Sequence, residues 1–139
     1  MALDGIGILL RGAPGAGKSD LALRLIEAGA KLVADDRVRL TREDGTAVAR
    51  APAALAGLLE VRGVGIVRLD AAVVADRAVV RLVCDLVPPA EVERLPEPAQ
   101  VELVGVAVPL ARLDPFAASA PAKLRLAAGL GPGSIMAGL

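Results

Sequence analysis

The sequence predicts an α/β fold in which one glycine-rich turn is set into a mixed, strand-dominated sheet. Three observations carry this. An apolar run, Ile6-Gly7-Ile8-Leu9-Leu10, leads into Gly12-Ala13-Pro14-Gly15-Ala16-Gly17-Lys18-Ser19. Directly after it, Asp20-Leu21-Ala22-Leu23-Arg24-Leu25-Ile26 has helical spacing. Beyond that point the chain supplies mainly short strand-like segments. A doubly wound sheet would alternate strands and helices throughout, and this sequence does so once.

The elements follow in order. Residues 6–11 read as a strand, and 18–28 as a helix closed by Gly29, a residue that suits the left-handed turn after a helix. Lys31-Leu32-Val33-Ala34 reads as a second short strand ending at Asp35-Asp36, which completes a βαβ unit. Val38-Arg39-Leu40, the turn Glu43-Asp44-Gly45-Thr46 and Ala47-Val48-Ala49 form a β-hairpin pattern. Residues 51–57 are rich in alanine and proline and predict a loop with a short helical turn. Leu58 to Leu69 is strand-like but interrupted by Gly63 and Gly65. Ala78–Leu86 is another strand, and Pro88 to Pro98 a polar surface excursion. Val101–Leu110 supplies one or two further strands, and a C-terminal helix begins at Pro121. Gly129-Leu130-Gly131-Pro132-Gly133-Ser134 ends that helix, and the tail 129–139 is expected to be disordered.

The string from Gly12 to Ser19 reads G-x-x-x-x-G-K-S, and its flanks give it a mechanism. Glycines let backbone N–H groups curl around phosphate oxygens, and a helix N-terminus adds partial positive charge. Lys18 reaches the β- and γ-phosphates of a nucleotide, and the Ser19 hydroxyl ligates Mg²⁺. The bland alternative is a glycine-rich turn with a solvated lysine.

Composition narrows the field. A chain of 139 residues fits one domain spanning 1–139, with the phosphate loop at 12–19. Lys+Arg and Asp+Glu are each 16, so no basic surplus points to nucleic acid. Phe116 is the only aromatic residue, which nearly excludes stacking platforms and leaves any adenine to aliphatic side chains or backbone. The single Cys84 lies in an apolar run and is expected to be buried, which suits a reducing cytoplasm. No apolar run reaches about 18 residues, so no membrane span is expected. The first residues carry Asp4 and lack a basic segment, so no signal peptide is expected. With His at 0, histidine acid–base chemistry is excluded and a zinc site is disfavoured.

Two acidic features follow the loop. Asp35-Asp36 stands at a predicted strand end, where phosphate-loop enzymes place a carboxylate near Mg²⁺. Two adjacent aspartates allow one to serve the metal and the other to accept a proton from an incoming hydroxyl. The alternative is a plain turn. In Leu59-Glu60-Val61-Arg62-Gly63-Val64-Gly65-Ile66-Val67, Glu60 sits in an apolar strand, where burial is costly without a cation or partner. Glu60 is a candidate metal ligand, and Arg62 a candidate for phosphate or a partner. A surface salt bridge explains both equally well.

In order, G-x-x-x-x-G-K-S, L-V-A-D-D-R-V and L-E-V-R-G-V-G-I resemble the catalytic C-terminal domain of HPr kinase/phosphorylase over roughly residues 4–128. This bacterial family phosphorylates a serine of the phosphocarrier protein HPr and regulates the sugar phosphotransferase system and carbon metabolism. The start just before the loop strand is similar to the short form that lacks the N-terminal domain. The resemblance implies a single α/β domain, a P-loop-containing mixed sheet related to phosphoenolpyruvate carboxykinase. It implies ATP and Mg²⁺ as cofactors, a cytoplasmic hexamer, and no nucleic acid or membrane partner. Lys18 matches the loop lysine, Ser19 the Mg²⁺-binding serine and Glu60 a second Mg²⁺ ligand. Asp36 matches the general base of phosphorylation and general acid of the reverse reaction, with Asp35 supporting the metal. Arg94 matches a catalytic arginine.

Two departures shift the expectation toward kinase over phosphorylase activity. The family's histidine ahead of the loop strand has no counterpart in this sequence. A proline/arginine-rich loop linked to phosphorolysis, which releases pyrophosphate, corresponds to Val108-Pro109-Leu110-Ala111-Arg112-Leu113, with one arginine. Two other readings stay open: a small-molecule kinase with the same loop, and a nucleotide-binding sensor or degenerate family member without transfer activity.

Overall fold

The nine-residue apolar run Ala78–Leu86 becomes the centre of the sheet. Residues on both of its faces are buried, as a strand covered on two sides requires. The computed structural model describes residues 1–131. Its strands are β1 Ala2–Leu3, β2 Ile6–Arg11, β3 Arg39–Glu43, β4 Thr46–Arg50, β5 Leu58–Val61, β6 Gly65–Arg68, β7 Ala78–Leu86, β8 Gln100–Leu103 and β9 Val106–Leu113. Two α-helices, α1 Lys18–Glu27 and α2 Ala120–Leu130, complete the set.

One edge of β7 pairs in parallel with β2, from Gly7↔Val80 to Arg11↔Asp85. Its other edge is shared. The N-terminal end takes β4 antiparallel, and the C-terminal end takes β9 in parallel. The hairpins β1–β2, β3–β4 and β8–β9 extend this sheet, while β5–β6 forms a two-stranded sheet of its own. The sheet is therefore mixed within one α/β domain.

Each face of β7 buries a separate set of side chains. Leu82, Cys84 and Leu86 pack with Ile8, Leu21, Leu25 and Leu124 beneath the two helices. Val80 and Val83 pack with Val33, Ala47, Ala49, Leu103 and Val108 on the opposite face. Burial pushes the Cys84 thiol up to about 12, so it stays protonated at neutral pH. Gly7 is obligatory at the β2–β7 seam, because a Cβ there would stand 2.4 Å from the Val79 carbonyl oxygen.

Several boundaries match the sequence pattern. Helix α1 stops one residue short of the predicted 28 and closes as expected on Gly29. The Gly29 N–H donates to the Ile26 carbonyl at 3.0 Å and the Ala30 N–H to the Leu25 carbonyl at 2.9 Å, a Schellman closure. The short helical turn in 51–57 forms at Ala53–Leu55, and Pro88–Pro98 carries only a brief helical turn at Pro89–Glu91.

Three expectations are corrected, and one open alternative is decided. Lys31–Ala34 is not a strand. Lys31 makes one bridge to Ala2 and Leu32 one to Val74, so the βαβ unit is absent and β2 finds its parallel neighbour in β7 instead. Of the two readings left open for Glu60, the exposed one holds, because its neighbour Leu59 takes the inward position. Val108–Leu113 is the body of β9, not a loop. Residues 129 and 130 belong to α2, which runs on past the expected break at Gly129 because Gly131, not Gly129, adopts positive φ. The rest of the predicted tail, 132–139, lies outside the described residues.

Candidate active site at the phosphate-binding loop

Strand β2 delivers the loop at its carboxyl end, and α1 leaves it. An Arg11–Asp85 ion pair fixes that end of β2 to β7, with Nε–Oδ1 at 2.7 Å and Nη2–Oδ2 at 3.1 Å. Gly15 and Gly17 hold φ of 81° and 101°, values an L side chain resists, so glycine is needed for the loop to curl. The Ala16 N–H donates to the Ala13 carbonyl at 2.9 Å, and the Leu21 N–H to the Gly17 carbonyl at 3.0 Å. The Lys18 ammonium lies back across the loop and donates to the Gly12 carbonyl at 2.7 Å. Among them Gly12, Ala13, Pro14 and Gly15 are exposed, while Ala16, Gly17, Lys18 and Ser19 are half-buried.

Asp35 ties the loop to the next element. Its Oδ1 accepts from the Ser19 hydroxyl at 2.9 Å, and its Oδ2 accepts from the Glu60 backbone N–H at 2.9 Å. One carboxylate thus links the start of α1 to β5. Asp36 follows in the left-handed region at φ 47°, inside a tight turn in which the Arg37 N–H donates to the Asp35 carbonyl. Aspartate tolerates that conformation better than most side chains. The turn leaves Asp36 exposed beside the loop.

Two clefts meet at this point. One, of about 650 Å³, is lined by Pro14, Gly15, Lys18, Ser19, Asp35, Asp36, Glu60, Arg62 and Phe116, among others. The second, about 360 Å³, is lined by Arg11, Gly12, Lys18, Ala22, Val33, Arg37 and Val80, among others. Lys18, Asp35 and Asp36 line both.

The structure therefore brings together Lys18, Ser19, Asp35, Asp36 and Glu60. Arg94 is exposed on the excursion after β7 and lines neither cleft. Sequence reasoning missed two residues. Phe116 lies against the loop: its ring would stand 2.9 Å from a Cβ on Gly17. Arg24 holds the Phe116 segment in place, donating to the Pro115 carbonyl and, at 3.3 Å, to the Ala117 carbonyl. Only the Asp20–Arg24 spacing on α1, a 2.9 Å ion pair, was visible in the sequence as a reason to look at Arg24.

The donor set suits a small hard cation. Ser19, Asp35, Asp36 and Glu60 offer oxygen only, and no group of three or more His, Cys, Asp or Glu side chains among the described residues would hold a metal alone. Mg²⁺ is commonly held in this way, by one or two protein oxygens with substrate phosphates completing the shell.

A glycine loop between β2 and α1, opposed by two aspartates at the carboxyl end of a mixed sheet, defines a phosphate-loop α/β domain. The chain belongs to the HPr Serine kinase C-terminal domain family, whose model matches residues 1–122. It is 43% identical over 101 residues to an HPr kinase/phosphorylase of Lactobacillus acidophilus, a match covering 67% of this chain and 31% of that protein. An HPr kinase/phosphorylase of Clostridium botulinum (strain Eklund 17B) is 48% identical over 65 residues, covering 47% of this chain and 21% of that protein. The chain thus matches less than a third of the length of these curated relatives. Among solved structures, the HPr(Ser) kinase/phosphatase from Coxiella burnetii superposes with a TM-score of 0.78 at 26% identity, covering 88% of this chain and 81% of that chain.

Proposed function

We propose that this chain is an ATP- and Mg²⁺-dependent protein serine kinase acting on the phosphocarrier protein HPr. The observation that carries the reading is the meeting of two clefts at Lys18, Asp35 and Asp36. The family membership and the names of its relatives supply the acceptor.

Each residue has a task in this scheme. The loop N–H groups from Ala13 to Ser19 bind the β- and γ-phosphates. Lys18 exchanges the Gly12 carbonyl for phosphate oxygens, keeping its charge satisfied as the ligand arrives. Ser19 and Asp35 would hold Mg²⁺, with Glu60 across the cleft as the second carboxylate; the ion would neutralise charge on the phosphate oxygens. Asp36, which lines both clefts, takes the proton of the acceptor hydroxyl as its oxygen attacks the γ-phosphorus. In the reverse direction inorganic phosphate attacks phosphoserine, pyrophosphate forms, and Asp36 returns the proton to the serine oxygen. Arg94 would contribute charge only if the excursion folds over the cleft, so Arg94→Ala is expected to impair transfer less than any change at Lys18 or Asp36.

A hexamer in the cytoplasm belongs to the same proposal and rests on the family resemblance. No helix among the described residues is long and apolar enough to cross a membrane.

The test is transfer of labelled γ-phosphate from Mg·ATP to HPr, with its serine intact or changed to alanine. Label on the intact protein alone is the expected result. ATP binding with no label on either form would support the nucleotide sensor instead.

A further inference from the structure

The chain has one aromatic side chain, and the fold spends it in an unusual place. Phe116 is 65% exposed on the segment between β9 and α2, although both cores are built without an aromatic ring. It does not hang loosely. The Phe116 N–H donates to Asp114 Oδ1 at 3.0 Å, which closes an Asx turn. Arg24, itself paired with Asp20 on α1, holds the carbonyls on either side, those of Pro115 and Ala117. The buried Pro115 adds a fixed backbone angle. These contacts anchor the turn to the first helical turns after the loop and set the ring against Gly17, on the wall of the larger cleft. Leu23 and Pro14 line the same cleft.

Resting on the phosphate-loop reading above, we propose that Phe116 is the seat of the nucleoside part of the donor, with the base stacked on its exposed ring. Polyphosphate bound along residues 12–19 places the nucleoside a few ångströms beyond the loop, within the same cleft. A ring held by its backbone rather than by side-chain packing keeps a face free for a ligand. Stacking on it loses little entropy because the turn is already fixed. This departs from the expectation that aliphatic side chains or backbone would hold the base. It also makes Arg24 a positioning residue, acting through the 115–117 carbonyls.

The experiment compares Mg·ATP with Mg·tripolyphosphate by calorimetry on wild type, Phe116→Ala, Phe116→Leu and Phe116→Tyr. Because the side chain is exposed, these variants are expected to fold. Stacking predicts that Phe116→Ala and Phe116→Leu weaken ATP binding by about tenfold, that Phe116→Tyr restores it, and that tripolyphosphate binding is the same in all four. Nuclear magnetic resonance gives an independent readout. With Trp, Tyr and His all at 0, Phe116 supplies the only aromatic side-chain resonances of the protein. Cross-relaxation from those protons to the base protons of bound ATP is expected. ATP binding unchanged in Phe116→Ala, or a bound base with no cross-relaxation to the ring, would overturn the seat while leaving the phosphate loop intact. Failure of wild type to bind either ligand would overturn both readings.

Discussion

The wall of the cleft made by the phosphate loop and α1 and the wall made by the β5–β6 hairpin are held by different amounts of structure. On the first wall, β2 pairs along its length with the central strand, Leu21, Ala22 and Leu25 of α1 are buried, and Gly29 closes the helix. The second wall is a separate two-stranded sheet. Leu59 is its one fully buried residue, the Glu60 N–H is tied to Asp35, and Val64 and Ile66 are 76% and 74% exposed. Isolated two-stranded hairpins are marginal in water, so this wall depends on its attachments to the domain: Leu59 and Val61 against the core, and the Glu60–Asp35 hydrogen bond. The difference separates two requirements. Phosphate binding needs a preformed loop, and that loop stands on the wall with the larger buried core, whereas Glu60 and Arg62 stand on the wall with less.

Substitutions on either wall sharpen this contrast. Lys18→Ala removes the loop's one ammonium, and transfer is expected to fall by about 10²–10³-fold, with ATP affinity falling too; calorimetry and a transfer assay read the two effects. Gly7→Ala acts beneath the first wall. Its Cβ would collide with the Val79 carbonyl, so thermal unfolding should show a loss of about 2–3 kcal/mol across the whole domain. Asp35→Ala strands the Ser19 hydroxyl and the Glu60 N–H, at about 1–2 kcal/mol. Its hydrogen-exchange signature is local: faster exchange in 58–68, with the β2 and β7 amides unchanged. If β2 and β7 loosen equally, the two walls are not independent. The smallest effect lies far from both. Val104 turns the β8–β9 hairpin at φ 44°, where a β-branched residue is strained. Val104→Asn is expected to raise stability by about 0.5–1 kcal/mol in chemical denaturation, with transfer unaffected.

The same contrast explains what could be read in the sequence. The loop, the start of α1 and its Gly29 closure depend on neighbours within a few residues, so their spacing alone specifies them. The Asp44-Gly45 hairpin is legible for the same reason: its turn fixes its register. The parallel β2–β7 pairing is not local. Residues 31–34 are apolar enough to form a strand, yet β7 holds the place beside β2, so they make only single bridges. Period-2 alternation marks Leu59 and Glu60 as facing opposite ways but does not say which faces the core. That Asp35 and Asp36 stand beside the loop was legible from the pair itself. That Asp35 spans Ser19 and Glu60 while Asp36 is left exposed between two clefts depends on a left-handed turn that no spacing announces. Phe116 stayed hidden because a lone aromatic carries no period, and its place beside Gly17 arises from contacts across some 90 positions, through Arg24.

The central claim is that Asp36 serves the chemistry while the loop serves binding. The most direct measurement is ATP affinity and phosphate transfer to HPr on one preparation of Asp36→Asn, a change that keeps the left-handed turn and removes the base. The account predicts ATP affinity within about twofold of wild type and transfer reduced by roughly 10²–10⁴-fold. Transfer at the wild-type rate, or a loss that follows lost ATP binding, would contradict it.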